Sequence, residues 1–146
     1  MKLRTLFLLA SATALLGSCC NCRKLQQANA KPLVGTEWRL TQLDGKEVAG
    51  SSEKFCITIS QDSRITGKGD CNRISGSVSM FDAVKRAGPI KIDQLVSTKA
   101  FCLDQTTETK FCKALQEADN YKLDIYMLLL YKGKDLLAVL EADKWK

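Results

Sequence analysis

The chain of 146 residues contains no histidine and only two prolines, and aromatic residues make up 7% of it. The absence of histidine removes the commonest general base and metal ligand, and it excludes a Ser-His-Asp catalytic set. The sequence has no Gly-x-x-x-x-Gly-Lys-Ser/Thr phosphate loop, and no spacing of carboxylates nominates an acid–base pair. Enzymes that depend on these arrangements are therefore not predicted, and no cofactor is expected.

The charge excess is positive but mild. Lysine and arginine number 22 against 16 acidic residues, which gives a formal net charge of +6. The basic residues are scattered and do not alternate with aromatic residues, so no nucleic-acid partner is expected. The length predicts one domain, and a hydrophobic content of 45% is sufficient for a core.

The N-terminus has the layout of a secretory signal peptide. Met1–Arg4 is basic, Leu6–Leu16 is apolar, and small residues follow. The apolar run is shorter than the ~20 residues of a membrane-spanning helix. We therefore predict a signal peptide over residues 1–18; the alternative is a buried N-terminal helix.

The tetrapeptide Leu16-Gly17-Ser18-Cys19 resembles the lipobox of bacterial lipoproteins. The resemblance implies cleavage before Cys19 and acylation of that residue, and two or more acyl chains give stable membrane anchoring. Residues 19–32 would then form a polar, flexible tether. Cys20 and Cys22, within this tether, are interpreted as a flexible pair of thiols, with metal scavenging as the alternative.

The residue after Cys19 is not aspartate, and no acidic cluster follows. By resemblance to other bacterial lipoproteins, this favours an exported protein anchored on the periplasmic face of the outer membrane. The membrane, through the lipid anchor, is the first expected partner.

A folded domain is predicted over residues 33–146. Short segments with apolar residues at alternate positions indicate strands, and Asp44-Gly45 is a strong hairpin signal. The strands are expected around Trp38–Leu43, Lys46–Ala49, Phe55–Ile59, Arg64–Lys68, Val78–Met80, Ile90–Ile92, Tyr121–Ile125, Met127–Tyr131 and Leu136–Leu140.

One helix interrupts the strands. Residues 105–118 lack glycine and proline, and Asp104 is a suitable N-cap. Phe111, Ala114, Leu115 and Ala118 share one helical face. Strands, one helix and further strands predict an α+β fold in which an antiparallel sheet holds the helix on its concave side.

Two stretches organise this plan, Gly67–Val78 and Ser97–Cys102. Three glycines lie in the first, which indicates backbone that turns, bulges or closely approaches another segment. A cysteine in each stretch suggests a covalent connection between them.

These motifs resemble those of the META domain family, also called HslJ-like heat-shock proteins, over Leu33–Ala142. The resemblance implies a curved antiparallel half-barrel around one helix, no established enzyme chemistry, and an association with envelope stress. The matching residues are Gly35, Thr36, Trp38, Gly69, Asp70, Cys71, Asn72, Arg73, Gly76, Thr98 and Cys102, together with Glu108, Phe111 and Leu115 in the helix.

The cysteines Cys56, Cys71, Cys102 and Cys112 allow three disulfide connectivities in an oxidising compartment. The family motifs favour Cys71–Cys102, which leaves Cys56–Cys112; the alternative is that Cys56 and Cys112 are buried reduced thiols. Their spacing contains no C-x₂₋₄-C pair, so a structural zinc site is not predicted.

Asp70, Asn72, Arg73 and Thr98 are expected to cluster near the Cys71–Cys102 bridge. They either form a small polar binding site or satisfy backbone groups of the turns, as Asp and Asn readily do.

The predicted function is a lipid-anchored, non-catalytic envelope protein that binds a partner protein or supports stress tolerance. The alternative is a carrier of a lipid or small apolar ligand, and a thiol redox protein is a third hypothesis. The carrier's cleft would be lined by Phe55, Ile57, Leu95, Phe101, Met127 and Leu129.

Overall fold

The structure is a computed structural model that describes residues 30–48, 54–80, 82–100 and 105–142. The predicted signal peptide, the acylated Cys19, the thiols of Cys20 and Cys22, and nearly all of the tether lie outside the described residues. Phe101, Cys102 and Asp104 also lie outside them.

The described residues form strands and one helix in the order β1–β6, α1, β7–β9. Their bounds are β1 Glu37–Leu43, β2 Lys46–Glu47, β3 Cys56–Ile59, β4 Arg64–Gly69, β5 Asn72–Met80, β6 Ala87–Ser97, α1 Thr106–Glu117, β7 Asn120–Leu123, β8 Met127–Lys132 and β9 Asp135–Ala142.

All strand pairings are antiparallel, and the sheet closes on itself. Its order is β2-β1-β3-β4-β5-β6-β7-β8-β9, and β1 also pairs with β9. The β1–β9 pairing brings Trp38 opposite Ala142 and Leu43 opposite Ala138. The α+β class is thus confirmed, but the expected half-barrel is wrong in detail, because the first and last strands join and leave an eight-stranded barrel with β2 at its margin.

Alternation along the strands separates the interior of the barrel from its outer face. In β3, for example, Ile57 and Ile59 are buried, whereas the alternate residues Cys56 and Thr58 are partly exposed. Side chains buried in the same way from almost every strand form one core. Its largest fully buried members include Leu33, Trp38, Leu40, Ile57, Ile59, Ile65, Ile74, Phe111, Leu115, Leu128, Leu130 and Leu140.

The helix α1 packs its apolar side against the interior. Phe111 and Leu115 are fully buried, and the ring of Phe111 meets that of Phe55 edge to face at a centroid distance of 5.9 Å. Among the strands, β6 contacts α1 most extensively. Since β6 pairs with β7 only over residues 87–89, the helix covers the part of β6 that β7 leaves unpaired.

The helix begins one residue later than predicted. Gln105, not Asp104, is the N-cap residue, and its side chain makes no capping hydrogen bond. Instead, its carbonyl oxygen accepts a hydrogen bond from Thr109 Oγ1 at 2.9 Å. The predicted apolar face is confirmed, because Phe111, Ala114 and Leu115 are all buried.

Several strand limits differ from the sequence-based expectation. β5 spans Asn72–Met80, far beyond the predicted Val78–Met80, since glycine and serine in this stretch pair as a strand between β4 and β6. β7 ends at Leu123, because Asp124 turns the chain by hydrogen bonds with Met127.

The motif Gly35-Thr36-Glu37-Trp38 holds the first residues of the domain by hydrogen bonds. Gly35 has a φ of 82°, a left-handed conformation that glycine adopts without strain. Thr36 Oγ1 donates to Pro32 O at 2.6 Å, and Trp38 Nε1 donates to Leu33 O at 3.0 Å. Lys31 N donates to Ile125 O at 3.0 Å, so ordered contacts begin two residues before the predicted boundary at Leu33.

Among the described residues, no helix is both long enough and apolar enough to cross a membrane.

Candidate functional site

A polar cluster lies where the β4–β5 hairpin, the end of β6 and the first turns of α1 meet. Its members are the buried Asn72 and Glu108, the half-buried Ser97 and the exposed Thr98, and we call it the polar corner. Asn72 and Glu108 are 4% and 6% exposed, and they are the buried polar residues of the described core. A buried carboxylate needs hydrogen-bond partners, because its desolvation is otherwise costly.

Glu108 accepts a hydrogen bond on each carboxylate oxygen. Asn72 Nδ2 donates to Oε2 at 3.1 Å, and Ser97 Oγ donates to Oε1 at 2.8 Å. The two donors come from β5 and β6. The carboxylate therefore connects the helix to both strands.

Asn72 uses its other end to hold the segment that follows β6. Its Oδ1 accepts from Thr98 Oγ1 at 2.9 Å and from Ala100 N at 2.7 Å. Arg73 continues the strand pairing, since its N donates to Thr98 Oγ1 at 3.1 Å and its O accepts from Thr98 N at 3.0 Å. These hydrogen bonds join the two motif stretches, whereas the predicted covalent connection between them stays a prediction.

Gly69 makes room for Glu108 in this corner. A Cβ at position 69 would lie 2.8 Å from Glu108 Cγ and 3.0 Å from Ile74 Cδ1. The motif glycine is required here by close approach of a side chain, and the following turn is completed by Asp70 at a φ of 44°.

The polar residues predicted to cluster divide between two locations. Asn72 and Thr98 meet in the polar corner, whereas Asp70 forms an ion pair with Lys54 at 3.2 Å. Arg73 is exposed on the outer face of β5. The hydrogen bonds favour the structural interpretation, because Asn72 satisfies backbone and side-chain donors of the neighbouring turn.

Sequence reasoning did not predict Glu108 or Ser97 as members of this cluster. In the sequence, Glu108 is matched only as part of the family pattern, yet its spacing carries a signal. It lies three and seven residues before Phe111 and Leu115, and it therefore shares their buried face. A carboxylate on such a face indicates a buried polar contact.

The cysteines divide into bonded and free. Cys71 is disulfide-bonded, whereas Cys56 and Cys112 are free thiols. Cys102 lies outside the described residues, so its pairing with Cys71 stays a prediction.

The predicted Cys56–Cys112 disulfide is wrong. Cys56 lies on β3 between Phe55 and Ile57, which are both buried in the interior, so its own side chain is on the outer face. Cys112 is on α1 and is partly buried against the core. Both cysteines are free thiols.

Burial raises the pKa of both free thiols. The negative charge of Glu37 adds to this at Cys56, and that of Glu108 adds to it at Cys112. Both thiols are consequently poor nucleophiles at neutral pH.

Within the described ranges, every buried side-chain nitrogen and oxygen has a hydrogen-bond partner. The same ranges contain no group of three or more Cys, Asp or Glu side chains arranged to hold a metal ion. In the polar corner, the side-chain donors and acceptors bond to one another and connect β5, the end of β6 and α1.

The residues predicted to line a carrier cleft do not share one surface. Phe55 and Ile57 are buried in the interior. Met127 is exposed and Leu129 half-buried on the opposite face of β8 from Leu128 and Leu130. Leu95 is half-buried beside the core, and Phe101 lies outside the described residues.

A family model described as the META domain matches residues 31–144 of the chain. Among curated proteins, none matches this chain. The match extends across all nine strands and the helix described above.

Solved structures share the fold at low sequence identity. An NMR structure of a protein from Burkholderia xenovorans is 20% identical with a TM-score of 0.58, and the alignment covers 77% of this chain and 84% of that one. A crystal structure of a DUF4847 family protein from Bacteroides vulgatus is 19% identical with a TM-score of 0.56, over 78% of this chain and 96% of that one. These likenesses establish similar architecture alone.

Proposed function

The chain belongs to the META domain family, and on that premise we propose that it is a lipid-anchored, non-catalytic protein of the cell envelope. Its domain would present a rigid surface to an envelope partner, or support the envelope under stress. The polar corner is the observation on which this proposal depends.

The polar corner favours a structural role because its reactive groups are committed to one another. The Glu108 carboxylate is 6% exposed and accepts from two donors, and Asn72 bridges it to the segment after β6. A general acid or base needs to reach a substrate proton within hydrogen-bond distance. A barrel stiffened in this way is suited to holding a fixed shape.

The disulfide at Cys71 supports an exported location, since such bonds persist in oxidising compartments. We propose Cys102 as its partner. Ala100 N binds the side chain of Asn72, the residue after Cys71, and Cys102 follows Ala100 by two residues. The lipobox supports anchoring at Cys19, and we place the domain on the periplasmic face of the outer membrane.

The anchor is tested by replacing Cys19 with Ser and Cys20 with Ser in separate full-length chains. Acylation at position 19 predicts that Cys19→Ser abolishes labelling with radioactive palmitate and partitioning into the detergent phase. Cys20→Ser is the matched control and should retain both. Continued partitioning of Cys19→Ser would overturn the proposed anchor.

The envelope role is tested in a producing cell that lacks the endogenous gene. Survival of envelope stress should be restored by the native chain and by Cys20→Ser, and not by Cys19→Ser. Reproducible turnover of a substrate by the purified chain would contradict the non-catalytic part of the proposal.

A further inference from the structure

A groove of about 300 Å³ lies on the outer face of β4, β5 and β6, on the other side of the sheet from the core. We call it the outer groove. Its size is at the lower end of ligand-binding pockets. The side chains that line it from the outer face are Arg64, Thr66, Ser75, Ser77, Gln94 and Val96.

The register of β4 and β5 arranges this surface in successive cross-strand pairs. Arg64 lies opposite Ser77, Thr66 opposite Ser75, and Lys68 opposite Arg73. Cations therefore lie at both ends of a hydroxyl-bearing centre. At ~3.3 Å per residue, the two ends are ~13 Å apart.

The three cations make no close ion pair. In the described part of the chain, no carboxylate lies within ion-pair distance of Arg64, Lys68 or Arg73. The hydrogen bond from Ser60 and, to a lesser extent, the charge of Arg64 lower the pKa of the exposed Asp62 carboxylate. Lys68 and Arg73 lie directly opposite each other, and like charges in this arrangement destabilise a sheet. A positive field of this kind attracts anions.

The nearby carboxylates have other partners as well. Asp93 forms an ion pair with Lys91 at 3.0 Å, and the main partner of Asp62 is the hydroxyl of Ser60, which donates a hydrogen bond to it. The hydroxyl of Ser77 donates to Asp93 O at 3.2 Å, whereas those of Thr66 and Ser75 make no hydrogen bond to the described residues and are available to a ligand.

Gln94 lines the groove, and its own backbone conformation is strained. Its φ of 53° lies in the left-handed region, which is unusual for a long side chain. It occupies a bulge, because the register of β5 and β6 shifts between Ser75 and Ser77. Bulges re-aim side chains at functional sites, and strain of this kind is a pointer to function.

From these observations we propose that the outer groove binds a phosphate ester. Arg64 pairs with the phosphate, since guanidinium groups form charge-assisted hydrogen bonds with its oxygens. The hydroxyls of Thr66 and Ser75 and the amide of Gln94 contact the esterified polar group. Lys68 and Arg73 draw the anion toward the groove.

Two probes distinguish a free ester from a lipid headgroup. The full chain, purified in a neutral detergent, is titrated with glycerol 3-phosphate or with micelles containing phosphatidylglycerol, while backbone amide shifts are followed by NMR. Saturable shifts at Ser75, Ser77 and Gln94 with glycerol 3-phosphate support a free ester, and shifts with phosphatidylglycerol micelles alone support a headgroup. No saturation with either probe, or equal shifts with phosphatidylcholine micelles, would overturn the proposal.

A charge-matched pair of variants tests whether Arg64 acts locally. Arg64→Gln should weaken binding about tenfold, as expected for loss of one charge-assisted contact. Lys122→Gln removes the same charge from an exposed position in β7 and should change the affinity less than about twofold. Equal weakening by both variants would show that the anion is attracted only by the net positive charge of the protein. That result would contradict a specific binding site at Arg64.

Gln94→Gly separates a binding role from a structural one. Glycine adopts the left-handed conformation without strain, so the thermal midpoint should stay unchanged or rise. Binding should weaken about threefold if the amide contacts the ligand. A variant that is no less stable and binds with native affinity would remove Gln94 from the proposal.

Discussion

The inner and outer faces of β4–β6 carry polar side chains of similar kinds, but their partners differ. On the inner face, Asn72 and Glu108 are buried and bonded to each other and to β6. On the outer face, Arg64 and Ser75 are exposed, and no described carboxylate pairs with the arginine. The inner polar groups hold the fold together, whereas the outer ones are those that we propose to bind a ligand.

Residues adjacent in sequence can therefore have unrelated roles. Asn72 and Arg73 are neighbours in one motif, yet alternation along β5 sends one into the polar corner and the other to the outer face. The comparison predicts large stability effects from inner substitutions and small ones from outer substitutions.

The largest expected effect is loss of the disulfide beside the polar corner. If Cys71 is bonded to Cys102, the bond closes a loop of about 30 residues, and Cys71→Ser should lower the free energy of unfolding by about 3.5 kcal/mol. Cys56→Ser, which changes a free thiol on the outer face, should cost about 1 kcal/mol or less. Urea unfolding of the full chain under non-reducing conditions measures both.

Peptide mapping of the alkylated, unreduced chain identifies the bonded partner. A fragment that joins Cys71 to Cys102 is expected, with Cys56 and Cys112 alkylated. A fragment that joins Cys71 to Cys20 or Cys22 would contradict the proposed pairing.

The next largest effect tests the polar corner itself. Asn72→Ala removes a donor from the buried Glu108 and the acceptor of Thr98 and Ala100, so a buried carboxylate loses a partner and the segment after β6 loses its contacts to β5. The expected cost is about 3 kcal/mol. Arg73→Ala, at the neighbouring outer position, should change stability by less than about 0.5 kcal/mol. Similar costs for the two variants would remove the distinction between the faces.

The sequence predicted much of this arrangement because its signals were local. Alternation located most strands, the spacing of Phe111 and Leu115 located the helical face, and the motifs brought Asn72 and Thr98 together. Closure of the barrel could not be read in the same way, because it depends on pairing between β1 and β9 at opposite ends of the domain.

The failures have two different causes. Cys56 and Cys112 were paired by elimination, but alternation at Phe55 and Ile57 places Cys56 outside the sheet. The outer groove depends on the β5–β6 register and on the bulge at Gln94, and neither leaves a pattern in single-sequence periodicity.

A smaller effect concerns the space that Gly69 leaves for the polar corner. Gly69→Ala places a Cβ 2.8 Å from Glu108 Cγ, and the resulting overpacking should cost about 2 kcal/mol. Gly45→Ala is the matched control, since its Cβ meets nothing within 4 Å but its φ is 73°; backbone strain alone should cost about 1 kcal/mol. If Gly69→Ala proves the milder of the two in urea unfolding, the corner is less tightly packed than described.

The smallest expected effect is a change in the alkylation rates of the two free thiols, Cys56 on the outer face and Cys112 on α1. Glu108 helps to raise the pKa of Cys112, and Glu37 helps to raise that of Cys56. Removing a negative charge lowers the pKa of the nearby thiol, which increases its thiolate fraction at a given pH and therefore its alkylation rate. Glu108→Gln should accelerate alkylation of Cys112 about two- to threefold and leave the rate at Cys56 unchanged, while Glu37→Gln should do the reverse.

The alkylation rates are followed by mass spectrometry between about pH 7 and 9. They distinguish a shift in one thiol's pKa from loosening of the fold, because a loosened barrel would expose both thiols in the same variant.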